Sequence, residues 1–479
     1  MVQQVFSLLS VEILTAVLGM ALLIFGLLVP RNQSRGIGYI TTIGLAGIFL
    51  STLAYSGVNE TFLNGMYLID PYSTFFKQLF LVAAILVSIA SQGMVQKLGY
   101  NQGEFFSLLV FATLGMMVLA GAGDLVTLYM GLELMTISFC ILACFKKQDA
   151  KSSEAGIKYI ILGAMSSAIL LYGLSLLYGV TRTTVIGEIA TVLGNAAPTP
   201  LMLLGMVFLA AGFAFKISAV PFHMWSPDIY EGAPTPVTAF LAVASKAAGF
   251  AVLLRVFMIA FPQMQAYWGM LVVMLSVLTI VLGNLVAIPQ TNIKRLLAYS
   301  SISQAGYLLL GLVAFSSLGV GAILFHSLLY VFANMAAFMV VIAFGNSTGS
   351  DEIRDYTGLA RRSPLLAAVL LFAMLSLAGI PPLAGFVSKF YLFTSIIEKG
   401  YVWLALVGVL MSMVSVYYYL LVAKVMYLGE PPAGAKPIEV PAGFQVALLV
   451  SIAIVFAFGI YPAPLTELAM NVAHVFFPF

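Results

Sequence analysis

Long apolar stretches recur along the whole of this chain and constrain its fold more than any other feature. Hydrophobic residues make up 62% of its 479 residues and charged residues only 8%, and the mean hydropathy is +1.07. This is not the composition of a soluble domain with a polar surface. At about 20 apolar residues per crossing, the pattern predicts an all-α polytopic membrane protein with about fourteen transmembrane helices.

The predicted spans are joined by short polar connections. We place them near residues 8–29, 37–57, 74–95, 104–121, 124–145, 156–179, 201–221, 236–259, 267–288, 295–314, 318–344, 364–396, 401–427 and 442–463. Because the spans share one lipid-embedded body, we expect a single integral membrane domain over residues 1–479. The net charge of +3 is small and the basic residues are dispersed, so we expect no nucleic-acid partner.

The distribution of basic residues predicts the orientation of the chain. With the N-terminus outside, the cytoplasmic connections contain Arg31, Arg35, Lys97, Lys146, Lys147, Lys151, Lys294, Arg295, Arg354, Arg361, Arg362 and Lys436. The outer connections contain little beyond Arg182 and Lys399. The positive-inside rule therefore predicts both termini outside. The membrane would be a bacterial-type inner (plasma) membrane or an equivalent energy-transducing membrane.

Single charged residues lie inside these apolar stretches. They are Glu133, Lys158, Lys216, Lys246 and Lys389. An ionisable group within a membrane span is costly, so it needs a function or a partner. Four of the five are lysines, and lysine is the basic side chain that can lose its proton when it is desolvated. The pattern indicates proton movement across a membrane.

Two of the spans are interrupted next to such a lysine. In the first, Lys216 precedes Pro221, and in the second, Pro381 and Pro382 precede Lys389. Helix breaks free backbone carbonyls and admit water, which gives a buried lysine a route for its proton. A simple kink with a snorkelling lysine is the alternative. The opposite order of lysine and proline in the two segments suggests an inverted repeat.

Glu133 needs a proton or a cation beside it, and Lys216 is our first candidate partner. Such a pair can act as a switch, in which the lysine holds its proton only while the carboxylate is close and charged. A permanent structural ion pair is the alternative. Lys246 and Lys158 could extend the path sideways, although Lys158 could equally snorkel at the cytoplasmic end.

His326 lies in another apolar stretch and is a candidate proton relay. A neutral imidazole accepts a hydrogen bond at one nitrogen and donates at the other, which is what a relay requires. A satisfied core histidine fits the same position, and the sequence leaves the two interpretations open.

Three runs resemble the antiporter-like membrane subunits of respiratory complex I. They are Lys216–Phe250, Lys294–Tyr307 and Gly379–Lys389. The resemblance covers essentially the whole chain. Among the related subunits it is most similar to the N type, because PDIYEGAPTP at residues 227–236 is the N-type sequence and no long lateral helix follows the last span.

The resemblance implies an antiporter-like fold of two inverted five-helix repeats with broken helices, near residues 104–259 and 267–427. It implies that Glu133 and Lys216 form the charge pair that responds to changes in a neighbouring subunit. It also implies that Lys246 is the central proton relay and that Lys389 is the site on the exit side. It also matches Lys158 to a basic position on the cytoplasmic side. The chain departs from the family at Ser303-Gln304, where many relatives have a histidine nearby, so a relay role there is in doubt.

The family implies a function and a set of partners. The chain would be a proton-translocating subunit of an NADH:quinone oxidoreductase and would perform no redox chemistry itself. We expect no cofactor in this chain, with FMN, iron–sulfur clusters and quinone in partner subunits. Those partners would be the M, K, J, A, H and L types of membrane subunit and the peripheral NADH-oxidising arm, together with membrane lipid.

Two other functions stay open at this point. An Mrp-type Na⁺/H⁺ antiporter subunit uses the same lysine and glutamate chemistry without NADH or quinone, and the N-type sequence disfavours it. A purely structural membrane spacer is the other alternative. The lysines inside the spans disfavour a spacer, because it would gain stability by losing them.

Overall fold

The structure is a computed structural model that describes residues 8–29, 36–98, 102–194, 198–432 and 434–477. Arg31 and Arg35, which the orientation prediction uses, lie outside the described residues. Helices dominate the rest. The one sheet among the described residues is an antiparallel hairpin of β1 (Glu60–Phe62) and β2 (Tyr67–Ile69).

The helices follow one another along the chain with short connections. They are α1 (Ser10–Leu28), α2 (Gly36–Thr52), α3 (Pro71–Leu98), α4 (Gln102–Gly121), α5 (Leu125–Ala143), α6 (Ala150–Thr181), α7 (Ile186–Gly194), α8 (Pro200–Lys216), α9 (Trp225–Gly232), α10 (Thr235–Phe240), α11 (Lys246–Ile259), α12 (Gln265–Ala287), α13 (Ile293–Ala314), α14 (Ser317–Thr348), α15 (Leu359–Arg362), α16 (Pro364–Ala378), α17 (Ala384–Ile397), α18 (Val402–Leu428), α19 (Ala442–Ile460) and α20 (Ala463–Ala473).

Twelve helical segments of the described residues are long and apolar enough to cross a membrane. The two predicted spans that we expected to be interrupted are built from shorter apolar helices, namely α8 before the first break, and α16 and α17 around the second. The prediction of an all-α polytopic membrane protein with broken helices is confirmed. The helices extend beyond the predicted apolar limits where polar residues cap them, as Asp149 does for α6 by accepting from the backbone N–H of Lys151.

The residues cluster into two compact units. The first comprises the chain up to Ile217 together with Gly232–Leu271, and the second comprises Ser218–Glu231 together with Val272–Phe477. Each unit has its own buried apolar core. The candidate residues Glu133, Lys158, Lys216 and Lys246 fall in the first unit, and His326 and Lys389 fall in the second.

In the second unit, α12 and α13 approach each other closely because glycines lie at their contact. A Cβ atom at Gly283 would lie 2.6 Å from the backbone nitrogen of Ser303, and one at Gly306 would lie 2.7 Å from that of Ile280. Small residues allow helix backbones in membranes to pack this tightly. The close approach brings the polar side chains of α12 within hydrogen-bonding reach of those on α13.

Candidate functional site

The first break places Lys216 at the end of a helix. α8 stops at Lys216, Ser218 has a φ of 58°, and Pro221 follows before the chain becomes helical again at Trp225. Proline cannot donate a backbone hydrogen bond, so an α-helix does not run through it unperturbed. The C-terminal end of a helix carries the negative end of its dipole, which favours a cation at this position.

The Lys216 side chain is only 2% exposed and points at a hydroxyl group on another helix. Its Nζ donates to Oγ1 of Thr136 on α5 at 2.6 Å. The Thr136 hydroxyl in turn donates to the carbonyl of Leu132 at 2.6 Å. The ammonium group is therefore held by a neutral oxygen whose own hydrogen is already used.

Glu133 lies one helical turn before Thr136 on α5 and is close enough to attract Lys216 electrostatically. Within the described residues the two do not form a salt bridge, because the threonine hydroxyl occupies the position next to the ammonium group. Oε1 of Glu133 is buried and has no hydrogen-bond partner among the described residues, and the Tyr129 side chain contacts the same carboxylate. The sequence suggested a direct ion pair between Glu133 and Lys216. In the structure Lys216 instead binds the Thr136 hydroxyl, and the Glu133 carboxylate lies nearby without contacting the ammonium group.

Lys246 lies next to a distortion of its helix. The segment Leu241–Ser245 forms a π-helical turn, and α11 begins with Lys246, whose side chain is buried. Single π-helical turns inside longer helices occur frequently at functional sites. The position is compatible with the central relay that the sequence predicts.

Lys158 has a different environment from the other lysines. It lies on α6, is 39% exposed, and forms an (i, i+4) ion pair with Glu154 at 2.7 Å. Exposed pairs of this kind contribute little free energy. The structure therefore places Lys158 at the surface of the chain rather than among its buried polar groups.

The second break is built by glycine and proline. α16 ends at Ala378, and Gly379 follows with a φ of 90°, a left-handed conformation that glycine adopts at low cost. Pro381 and Pro382 come next, and α17 begins at Ala384. The interruption leaves the last carbonyl groups of α16 free to accept hydrogen bonds from side chains.

Lys389 uses one of these carbonyls. From α17 its Nζ donates to the carbonyl of Ala378 and to Oγ of Ser412, both at 3.0 Å. The same Nζ lies 4.5 Å from the ring centroid of Tyr307, a cation–π contact. The side chain is 3% exposed. A carbonyl, a hydroxyl and an aromatic face therefore surround this ammonium group.

His326 lies beside Lys389. Its Nδ1 is 3.0 Å from Oγ of Ser388, its ring stacks on Tyr330, and its buried Nε2 has no hydrogen-bond partner in the described part of the chain. His326, Lys389 and Gln304 line a small cavity of about 10 Å³. A polar cavity of this size suits one water molecule. The structure thus brings two of the predicted residues, His326 and Lys389, to the same cavity.

Gln304 belongs to the Ser303-Gln304 pair, near which the family resemblance leads us to expect a histidine. Its Nε2 donates to the carbonyl of Leu377 at 2.8 Å, while its Oε1 is buried and accepts no hydrogen bond from the residues that the structure describes. A carboxamide here offers an acceptor to the cavity and carries no titratable proton. It can position a relay but cannot replace the imidazole of a histidine.

Sequence reasoning missed several polar partners of the lysines. Thr136 had a usable signal, since it follows Glu133 by three residues and so lies on the same helix face. Ser412, Tyr307 and Ser388 gave no comparable signal. The first two lie on other helices than Lys389, and hydroxyl groups are common in membrane spans.

Sequence reasoning also missed a buried ion pair in the first unit. The Arg255 guanidinium makes two hydrogen bonds to the Asp70 carboxylate, at 2.8 and 3.0 Å, and lies over the Tyr72 ring. Burial alone would raise the pKa of Asp70, but the adjacent Arg255 charge holds it below its usual value. Arginine does not deprotonate in proteins, so this pair joins the residue just before α3 to α11 without carrying protons.

Among the described residues, no group of three or more His, Cys, Asp or Glu side chains is placed to hold a metal ion. The polar groups described above are instead a carboxylate, single lysines, hydroxyl groups and one imidazole. Side chains of this kind hold and pass protons.

Comparison with known proteins identifies the family. The family described as "NADH:quinone oxidoreductase/Mrp antiporter, TM" matches residues 122–415. A protein of Moorella thermoacetica named NADH-quinone oxidoreductase subunit N is 65% identical, over 98% of each chain. This chain belongs to the NADH-quinone oxidoreductase subunit N family. A second subunit N, from Heliobacterium modesticaldum, is 54% identical over 98% of this chain and 100% of its own.

Solved structures confirm the antiporter-like fold of this subunit N family member. A chain of respiratory complex I from Thermus thermophilus with bound aureothin is 33% identical, with a TM-score of 0.81 over 96% of this chain and 99% of that one. A chain of the Mrp complex from a Dietzia species is 21% identical, with a TM-score of 0.87 over 98% and 97%. The second likeness shows the shared fold alone.

Proposed function

We propose that this chain is a proton-translocating membrane subunit of NADH-quinone oxidoreductase and that its buried lysines carry the protons. One observation carries the proposal: each of the two broken segments contains a buried lysine, Lys216 at the end of α8 and Lys389 on α17. An ionisable side chain inside a membrane span is costly, so its presence indicates a function. The subunit N relatives cover nearly the whole chain and support membership of the oxidoreductase.

The step at Lys216 would be driven by Glu133. While the carboxylate is charged, its attraction favours the ammonium form of the lysine. When the carboxylate is protonated or moves away, burial favours the neutral amine, and Lys216 releases one proton. The Thr136 hydroxyl stays in place as the hydrogen-bond partner of the nitrogen.

Lys246, Lys389 and His326 would continue the path. We assign Lys246 to the central relay and Lys389 to the exit side, with His326 passing protons at the shared cavity. Lys158, exposed and paired with Glu154, would tune the local potential rather than carry protons.

The energy would come from partner subunits. We propose that FMN, iron–sulfur clusters and quinone belong to those partners, which are membrane subunits of the M, K, J, A, H and L types and a peripheral NADH-oxidising arm. The chain would act as one membrane domain with repeats near residues 104–259 and 267–427. It would lie in a bacterial-type inner membrane with both termini outside.

A native gel of mildly solubilised membranes tests the assembly. The gel is stained for NADH-dependent dye reduction and probed for this chain in the same band. We expect the chain in a large, NADH-active band. An Mrp-type antiporter is the competing function, because the matched family includes Mrp antiporters. A smaller band without NADH activity, from membranes with Na⁺-dependent proton exchange, would support that alternative.

Arginine substitution tests the proton carrier. Lys216→Arg keeps the positive charge, but a guanidinium does not deprotonate in proteins. We expect the purified complex to assemble and reduce an artificial electron acceptor normally while pumping poorly. Lys158→Arg is the matched control at an exposed lysine, and we expect it to pump normally. Full pumping by Lys216→Arg would leave only a structural role for the lysine.

A further inference from the structure

A cleft of about 810 Å³ opens in the second unit near the end of α18. Glu352, Arg354 and Lys424 are among the residues that line it, and so is the buried Tyr418. Its polar connections lie on the face that we propose to be cytoplasmic. Charged side chains in its walls favour water in the cleft, and the buried Tyr418 forms part of its lining.

A run of hydrogen bonds leads from Tyr418 to the Lys389 site. The Tyr418 hydroxyl donates to Oδ1 of Asn284 at 3.1 Å, and Nδ2 of Asn284 donates to the Tyr307 hydroxyl at 3.3 Å. Tyr307 contacts Ser412, which accepts from the Lys389 ammonium. Asn284, Tyr307 and Tyr418 are fully buried. The cleft and Lys389 are therefore connected by polar contacts within one unit.

Asn284 differs chemically from the other members of this run. Its Nδ2 also donates to the carbonyl of Ile280 at 2.8 Å, and because a carbonyl can only accept, the orientation of the carboxamide is fixed. A hydroxyl can accept one proton while it releases another. A proton arriving at Oδ1 of Asn284 could move on only by breaking an amide N–H bond, which leaves the unfavourable imidic acid form.

A second series of polar contacts begins at Tyr419, next to Tyr418 in the sequence, and also includes a carboxamide side chain. The Tyr419 hydroxyl pairs with Oγ of Ser300 and contacts Tyr418 and Gln304. Gln304 lines the small cavity that His326 and Lys389 share. Both polar contacts from the tyrosine pair toward Lys389 therefore run through an amide side chain.

We propose that Asn284 is a proton block between the cleft and Lys389. It holds Tyr418 and Tyr307 in place through hydrogen bonds, yet it does not pass protons between them. A proton on the exit-side lysine is thereby prevented from returning to the cytoplasmic side. This inference rests on the proposed function, because a block matters only if Lys389 carries protons.

Asn284→Asp tests the block, because a carboxylate of the same shape can take up a proton at one oxygen and release it from the other. The complex is assembled in liposomes, a pH gradient is imposed without NADH, and its decay is followed with a pH-sensitive dye. We expect the gradient to decay several-fold faster than in wild type. Asn284→Leu is the matched control, which removes the polar contacts without adding a titratable group, and we expect a tight membrane.

Two results would overturn the block. The first is a gradient that decays at the wild-type rate in Asn284→Asp. The second is loss of NADH-driven pumping in Asn284→Leu while Asn284→Asp pumps, which would make this run an inlet. If Asn284→Asp fails to assemble on a native gel, Asn284→Ser replaces it, because its hydroxyl and the space it leaves for water should produce the same leak.

The Lys389 variants separate this inference from the proposed function. We expect Lys389→Met to restore a tight membrane in the Asn284→Asp background, because the leak passes through the lysine. A tight Asn284→Asp membrane, together with lost pumping in Lys389→Arg alone, would remove the block and leave the proposed function standing. Full pumping by Lys389→Arg would remove the proposed role of Lys389 whatever the leak shows.

Discussion

The two broken segments hold their lysines in different ways. Lys216 has a hydroxyl partner, Thr136, and a carboxylate nearby, Glu133. Lys389 has a backbone carbonyl, the Ser412 hydroxyl and the Tyr307 ring, and forms no ion pair among the described residues. One site contains a second charge that can change, and the other is surrounded by neutral groups.

This difference indicates how each site is controlled. A full charge acts over several ångströms in a medium of low dielectric, so a change at Glu133 can alter the proton affinity of Lys216 without any large movement. Neutral dipoles act only at contact. The proton affinity of Lys389 therefore changes when the break around Gly379 rearranges or when a neighbouring proton arrives at the shared cavity.

The largest effect is expected from Glu133→Gln. The variant keeps the shape of the side chain and removes its charge, so the first site loses its control while the second is untouched. We expect an assembled complex with most of its NADH-driven proton pumping lost, measured by dye quenching in liposomes. Glu154→Gln, at an exposed carboxylate, is the control and should pump normally. Equal pumping by the two variants would contradict a controlling role for Glu133.

A smaller but clear effect is expected from Thr136→Val, which has nearly the same shape without the hydroxyl. A hydrogen bond to a charged group contributes about 1.5–3 kcal/mol, so the ammonium form of Lys216 becomes harder to maintain. The rate of pumping should fall by about tenfold or more. Thr136→Ser restores the hydroxyl and should restore the rate. Failure of this rescue would show that packing, rather than the hydrogen bond, matters here.

Ser412→Ala should have a weaker effect than Thr136→Val. Lys389 keeps the Ala378 carbonyl and the Tyr307 ring when the serine hydroxyl is removed. We expect a loss of about 1 kcal/mol at this site, measured as a several-fold slower pumping rate under the same conditions. If Ser412→Ala proved more damaging than Thr136→Val, the distinction between a lysine with one close polar partner and a lysine with several partners would be wrong.

The smallest effect is expected from Lys158→Gln. This lysine is exposed and its pair with Glu154 contributes about 0–1 kcal/mol. Pumping should stay close to the wild-type rate, and the remaining difference should shrink as ionic strength rises, because salt screens exposed charges. A loss as severe as that of Glu133→Gln would place Lys158 on the proton path after all.

The sequence predicted the class of fold and both interruptions. Apolar length predicts the spans. Pro221 after Lys216, and the glycines and prolines before Lys389, predict the breaks, because these residue types limit the backbone wherever they occur. Gly379 shows this directly, since its left-handed conformation ends α16. Such signals depend on the local sequence and need no knowledge of the packing.

The partners of the lysines could not be predicted in the same way. Thr136 rather than Glu133 contacts Lys216, and Asn284 lies between Tyr418 and Tyr307, because helix rotation and close packing decide which side chains meet. Spacing along one helix puts Glu133 and Thr136 on the same face but does not tell which of them contacts the lysine. The exposure of Lys158, which the sequence left open, has the same origin.

The most direct test of the account is the number of protons delivered per electron by purified Lys389→Arg complex in liposomes. Among the described residues no carboxylate pairs with Lys389, so arginine keeps the positive charge and removes the ability to release a proton. We predict an assembled complex that oxidises NADH with an artificial acceptor at the wild-type rate and delivers clearly fewer protons per electron to the other side. A wild-type proton yield would contradict the claim that the buried lysines carry the protons.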